Sequence, residues 1–221
     1  MRKVSFALNI SLDGYCDHTL GEPSEELMEY FAAMMDDVDL LFYGRVMYQL
    51  MFPYWADVAK DRSGSAAEIR FAERLVAIDK VVVSRTLENV EGNTTIIRSN
   101  PAAELQKLKQ QPGKTISVDT VSLLPELMAA GLIDEFHLVV HPIMAGSGRH
   151  LLPAGSLPQI FKLELVETKI FKNGCVALHY RKRDNLITGS DLNLTCKDVF
   201  TRSQSVREIS KTYHQIFLKK N

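Results

Sequence analysis

The residue types best able to do chemistry fall in short clusters behind apolar runs. Gly44 and Arg45 follow the run 39–43, with Tyr48 one helical turn further on, and Ser84, Arg85 and Thr86 follow 81–83. A guanidinium offers paired donors that match a phosphate, so Arg45 and Arg85 are candidate anchors, and the neighbouring hydroxyls can add to them. The competing use of each arginine is a surface pairing with a carboxylate. Asp13, with Gly14 and Tyr15 behind it, is the best-placed acid. It can touch a ligand or give it a proton, or, as in many Asp-Gly turns, bond only local backbone.

Residues 115–148 read as a strand, a sharp turn, a helix closed by Gly131, a second strand and a Pro/Gly loop. Open α/β sheets bind ligands beyond the carboxyl ends of their strands, which puts Asp119, Thr120 and Ser122 where a phosphate would sit. The carboxylate opposes that use. Two like charges ~4 Å apart repel by about 4 kcal/mol at an effective dielectric near 20. That is roughly a thousandfold in affinity unless Asp119 points away. The hydroxyls of Thr120 and Ser122 and the start of the following helix favour an anion. Gly146, Ser147 and Gly148 form a turn after Pro142, either a ligand loop or a surface connection.

Other chemistries find less support. His137 and His141 have a spacing that binds zinc on a helix, but on a strand four residues span ~13 Å, too far for one ion. No metal is expected, and no Ser-His-Asp triad is legible. Cys16, Cys175 and Cys196 are odd in number and contain no CxxC pair, which suits a reducing, cytoplasmic setting. A net charge of −1 gives no field for nucleic acid. No apolar run reaches the ~18 residues of a membrane span. Neither a nucleic-acid nor a membrane partner is expected.

Several elements must position these clusters. Val4, Phe6, Leu8 and Ile10 alternate with smaller or polar residues, the period of a strand. Ser24 can cap a helix with Leu27, Phe31, Met34 and Met35 on one face. Residues 52–64, with Phe52, Pro53, Tyr54 and Trp55, read as a long, partly ordered loop, its aromatics packing in the core or covering a flat ring. Met28, Met34, Met35, Met47 and Met51 read as core filler. Asn100 and Pro101 read as the cap and first residue of a helix. Lys172, Asn173 and Gly174 join two strands, 161–169 and 175–181, into a hairpin. Beyond Asp184 the chain turns polar, until Val206, Ile209, Tyr213, Ile216 and Phe217 fall on one face of an amphipathic helix. The division expected is a domain over 1–183 and an extension over 184–221.

Taken in order, residues 11–15, Tyr43 to Arg45 with Tyr48, residues 84–86, residues 132–135 and the loop 141–148 resemble the dihydrofolate-reductase-like superfamily. The branch they resemble is the C-terminal reductase domain of the bifunctional riboflavin-biosynthesis enzyme and its stand-alone bacterial relatives. The resemblance implies an α/β fold in three layers: a mostly parallel central sheet, helices on both faces, and an antiparallel C-terminal hairpin. It also implies an NADPH-dependent reductase of a pteridine-like or aminopyrimidine molecule, and a homodimer. Cofactor contacts would fall on Gly44, Arg45, Ser84, Arg85, Thr86, Asp119, Thr120 and Ser122. Substrate contacts would fall on Asp13, Gly14, Tyr15, Gly146 and Gly148, with Asp13 the catalytic candidate.

The chain departs from that pattern in places. Val46 and Met47 stand where relatives often have a basic residue and a threonine. Asp119 and Thr120 replace two glycines that let backbone approach the cofactor phosphates. Dihydrofolate reductases carry their acid at the position of Leu27, and Glu26 lies on another helical face, so folate reduction is not expected. One alternative is a non-catalytic binding module that lost its phosphate glycines. A further one is a flavin-dependent or other nucleotide-dependent oxidoreductase.

Overall fold

The computed structural model describes residues 1–16, 21 and 24–183, and Met1–Arg183 form one compact unit. The amphipathic helix foreseen near the C-terminus lies outside the described residues. Eight strands make one sheet: β1 (Val4–Ser11), β2 (Val38–Gly44), β3 (Asp79–Val83), β4 (Thr94–Ile97), β5 (Thr115–Asp119), β6 (Glu135–His141), β7 (Leu163–Ile170) and β8 (Val176–Lys182). Their order is β4-β3-β2-β5-β1-β6-β8-β7. The pairings from β4 to β6 are parallel, and β8 and β7 add an antiparallel hairpin at one edge. β5 and β6 flank β1, so the segment joining them crosses over that strand.

Among the described residues five α-helices accompany the sheet: α1 (Glu25–Met34), α2 (Arg45–Asp61), α3 (Ala66–Ala77), α4 (Pro101–Gln110) and α5 (Leu124–Ala129). The period-two alternation of the strands divides them into layers. Leu40 and Phe42 of β2 join Val4, Phe6, Ile116 and Val118 in a core completed by Leu105 of α4 and Leu124 and Leu127 of α5. Leu41 and Tyr43 point the other way, into a second core with Tyr48 and Phe52 of α2 and Phe71 and Leu75 of α3. This is the three-layer arrangement expected from the sequence.

Local signals account for most ends. The Ser24 hydroxyl accepts the Leu27 amide at the start of α1, and Ser65 with Glu68 forms a reciprocal capping box on α3. Gly131, at φ 70°, closes the turn after α5. Asp134 ties the start of β1 to the sheet: its Oδ2 accepts the Val4 amide at 2.8 Å, and Lys109 donates to both of its oxygens at 2.6 Å.

Two local expectations fail. Residues 52–64 are mostly helix, because α2 runs through Pro53 to Asp61. Proline forfeits the bond to the carbonyl of Gln49, a cost of about 3 kcal/mol in a helix interior. Burial of Phe52, which stacks on Tyr48 at 5.3 Å, and the packing of Trp55 on Phe71 at 4.8 Å oppose that cost. Asn100 precedes α4 in a left-handed conformation, φ 52°, with no side-chain cap, although Pro101 does open the helix. Among the described residues no helix is long and apolar enough to cross a membrane.

Candidate functional site

The carboxyl ends of β2, β3 and β5 meet in a groove of about 230 Å³ lined by Gly44, Arg45, Ser84, Arg85, Thr86 and Ser122. Parallel pairing of β3 with β2, and of β2 with β5, gathers these residues although they are far apart in sequence. Arg45 and Arg85 are both exposed. Arg45 opens α2 and donates to Gln49 Oε1 at 2.8 Å. The Ser84 hydroxyl accepts the amides of Thr86 (3.2 Å) and Leu87 (2.9 Å), and Arg98 donates to the carbonyls of Ser84 (3.2 Å) and Leu87 (2.6 Å). Ser84 and Arg98 thus hold the turn that presents Arg85.

Beside the groove lies a cavity of about 720 Å³, between the second face of the sheet and helices α1 and α2. One wall is apolar, with Leu27, Met28 and Phe31 of α1 and Met47, Met51 and Trp55 of α2. The opposite wall is polar, with Ser117 and Asp119 of β5 and Glu135 and His137 of β6. Burial pushes the Asp119 carboxyl up to about 7, against the opposing effect of a hydrogen bond from Ser117. Asp119 lies across from Tyr43 in the β2–β5 register, and burial together with that carboxylate raises the Tyr43 phenol well above its ordinary value. Asp119 lines the cavity only, whereas Ser122 lines both cavity and groove. Asp119 does not line the groove with Arg45 and Arg85. The anion-favouring helix start foreseen after Asp119 is absent, since α5 begins only at Leu124 and is six residues long.

Asp13 makes the backbone bonds that were one of its expected uses, and they reach beyond its own turn to Ala145 and Gly146. Its carboxylate accepts hydrogen bonds from the Ser11 hydroxyl (2.6 Å) and the amides of Ala145 (3.0 Å) and Gly146 (2.7 Å). These bonds, that of Ser11 foremost, hold it at about 2. A carboxyl held this low favours its backbone-bonding use over proton donation. Gly14 and Tyr15 continue this clasp: the Leu151 amide donates to the Gly14 carbonyl at 3.0 Å, and Tyr15 packs on His150 with ring centroids 4.0 Å apart. Gly146 and Gly148 both adopt positive φ, at 68° and 119°, which the sharp loop requires. Cys16, Ile143 and Arg149, next to these residues, line the cavity.

Residues 2–177 match the RibD C-terminal domain. The chain belongs to that family. The uncharacterised protein YyaP of Bacillus subtilis strain 168 is 28% identical over 183 residues, covering 81% of this chain and 94% of that one. Among solved structures, a putative riboflavin biosynthesis protein from Shewanella sp. PV-4 superposes with a TM-score of 0.62 at 18% identity, covering 83% of this chain and 99% of that chain. A dihydrofolate reductase from Enterococcus faecalis, solved with NADP(H), superposes at 0.55 with 10% identity, covering 82% and 97%. At these identities the two structures establish the fold, which is dihydrofolate-reductase-like. Membership in the RibD C-terminal domain family supports an oxidoreductase.

Within this RibD C-terminal domain, α1 supplies no carboxyl to the cavity. Leu27 lines it, while Glu26 Oε2 accepts the Lys172 amide at 3.1 Å. The carboxyls that line the cavity belong instead to Asp37, Asp119 and Glu135. Sequence reasoning named Glu135 only within the motif 132–135, and did not single out Ser117 or His179. Their signal was the strand alternation itself: Ser117 and Asp119 must share the face that Ile116 and Val118 do not. His137 and His141 do not act as a pair. His141 Nδ1 lies 3.3 Å from Cys175 Sγ, whereas His137 stacks on His179. Burial, and next the neighbouring His179, lower His137 to about 4.

Proposed function

We propose that the protein is an NADPH-dependent reductase of a pteridine-like or aminopyrimidine small molecule. The observation that carries this reading is continuity: Gly44, Val46 and Ser122 line both the groove and the cavity. A dinucleotide has the same two-part form, with phosphates at one end and a flat reactive ring at the other. Arg45 and Arg85 suit the phosphates, including the additional one that marks NADPH, and Thr86 and Ser122 add hydroxyl donors. The methionines and Trp55 offer a polarisable apolar wall for stacked flat rings.

NADPH supplies the hydride when bound. The chain's part is then to hold both rings, keep water out, and provide a proton. Asp119 fits that last task, because a carboxyl near 7 is partly protonated at neutral pH. This replaces Asp13 in the role. A homodimeric, cytoplasmic enzyme belongs to the same reading, and the exposed Leu165, Val166 and Ile170 on the edge strand β7 offer apolar surface for a second copy.

Titration with NADPH and NADP, followed by nicotinamide fluorescence, tests the reading. Saturable binding below millimolar concentration is expected. No binding at millimolar cofactor overturns it in favour of a non-catalytic binding module. A flavin absorbance spectrum in the purified protein would favour a flavin-dependent oxidoreductase instead.

A further inference from the structure

At the far side of the cavity from the phosphate groove, β6 and β8 bring two imidazoles together. His137 and His179 are directly paired in the antiparallel register. Their rings stack, with centroids 4.1 Å apart and planes inclined by 18°. Glu135, two residues before His137, presents its side chain on the same face. Its Oε2 lies 3.4 Å from His179 Nε2 and 3.8 Å from His137 Nε2. One atom of each residue lies within 4.8 Å of the others.

A hydrogen-bonded cluster does not account for this geometry. His179 Nε2 is sealed from solvent and makes no hydrogen bond, although a carboxylate oxygen is close by. Leaving a buried ring nitrogen unsatisfied costs about 1–3 kcal/mol. A metal ion would satisfy it. Two ligands about 2.1 Å from a tetrahedral zinc ion are roughly 3.4 Å apart, close to both glutamate–histidine separations here. The third separation is within 4.8 Å, and because the lone pairs lie in the ring planes, both imidazoles must turn out of their stack to meet one ion.

The surroundings also suit an ion. Glu135 Oε1 accepts the Lys3 ammonium at 2.9 Å, which fixes the carboxylate and leaves Oε2 for the ion. The Lys3 side chain is 52% exposed, so its charge can withdraw into water. A recess of about 280 Å³ opens over both rings and is also lined by Glu167 and by Lys169, whose ammonium is drawn aside over the Tyr30 and Phe171 rings. Glu167 stands opposite His179 on β7, so a carboxylate or water can complete the coordination.

We propose that Glu135, His137 and His179 form a binding site for a divalent transition metal of the zinc class. Two imidazoles and one carboxylate are a donor set for such ions, and three protein ligands leave a position open. The site is separate from the phosphate groove, and the proposal does not depend on the reductase reading.

The test uses the full chain, stripped with EDTA and dialysed, then titrated with zinc chloride by calorimetry and with cobalt(II) chloride by visible absorption. One equivalent should bind at micromolar concentration or tighter, with the intense bands of four- or five-coordinate cobalt. His137→Gln and His179→Gln should each weaken binding by at least about tenfold, with unchanged circular dichroism in EDTA. Should either variant fail to fold, Glu135→Gln is read in its place. Binding that both variants retain, or a weak octahedral cobalt spectrum, overturns the proposal.

Discussion

Gly44 and Thr120 set the width of the junction between groove and cavity. A Cβ at Gly44 would fall 2.5 Å from Thr120 Oγ1 and 3.1 Å from its Cβ. The Gly44 backbone, at φ −78°, is one that any residue adopts, so glycine is needed there for space alone. Thr120 is buried and its hydroxyl lies 3.3 Å from that of Ser122. It has little freedom to withdraw.

Gly44→Ala should therefore narrow the junction through which a dinucleotide would run. NADPH affinity, measured by fluorescence titration, is expected to fall by about tenfold or more, with a stability loss of about 1–3 kcal/mol from overpacking. Thr120→Gly in the same chain should restore most of the affinity. A Gly44→Ala protein that binds NADPH as well as the parent would place the cofactor elsewhere.

Arg85→Ala should weaken NADPH about tenfold to a hundredfold, the worth of a charge-assisted bond, and should flatten the dependence of affinity on salt. Arg98→Ala removes the donors to the Ser84 and Leu87 carbonyls without touching the groove itself. A smaller loss in the same direction is expected. Equal losses from Arg98 and Arg85 variants would mean that the turn, and not the guanidinium, matters.

The groove was legible in the sequence because its signals are local. A strand end followed by a cation and hydroxyls can be read from adjacent residues, and parallel pairing then assembles them. The environment of Asp119 was not legible. Its burial depends on α1 and α2 standing over the sheet, and nothing beside it in the chain reports that. His137 with His179 depends on the register of two strands, which a slip of one residue would abolish. Asp13 shows the same limit: its turn was readable, but its Ala145 partner is 132 residues away.

Asp13→Asn tests that clasp. The folded value near 2 lies below the ordinary aspartate value of about 3.9. The native state therefore favours the carboxylate, and the stabilisation is present above about pH 4 and lost as pH falls through 2. The variant should melt below the parent at pH 7, and the gap should shrink towards pH 2. Thermal unfolding across that range measures it, and a gap independent of pH would remove the charge from the explanation.

Asp119→Asn should behave in the opposite sense. Here the folded value of about 7 lies above the ordinary value of about 3.9, so the native state holds its proton more tightly than the unfolded chain. That contribution is fully present below about pH 4 and is lost as pH rises through 7. The parent should lose stability relative to Asp119→Asn across this window, so the variant gains most at pH 8 and least at pH 4. NADPH affinity should stay within about threefold at either pH, because Asp119 lines the cavity and not the groove proposed for the phosphates. Unfolding midpoints from pH 4 to 8, with NADPH titrations at both ends, test the two statements together. Parallel midpoint curves would show an ordinary carboxylate and end its candidacy as the proton source. A large gain in NADPH affinity at pH 8 would instead mean that Asp119 does repel the cofactor phosphates.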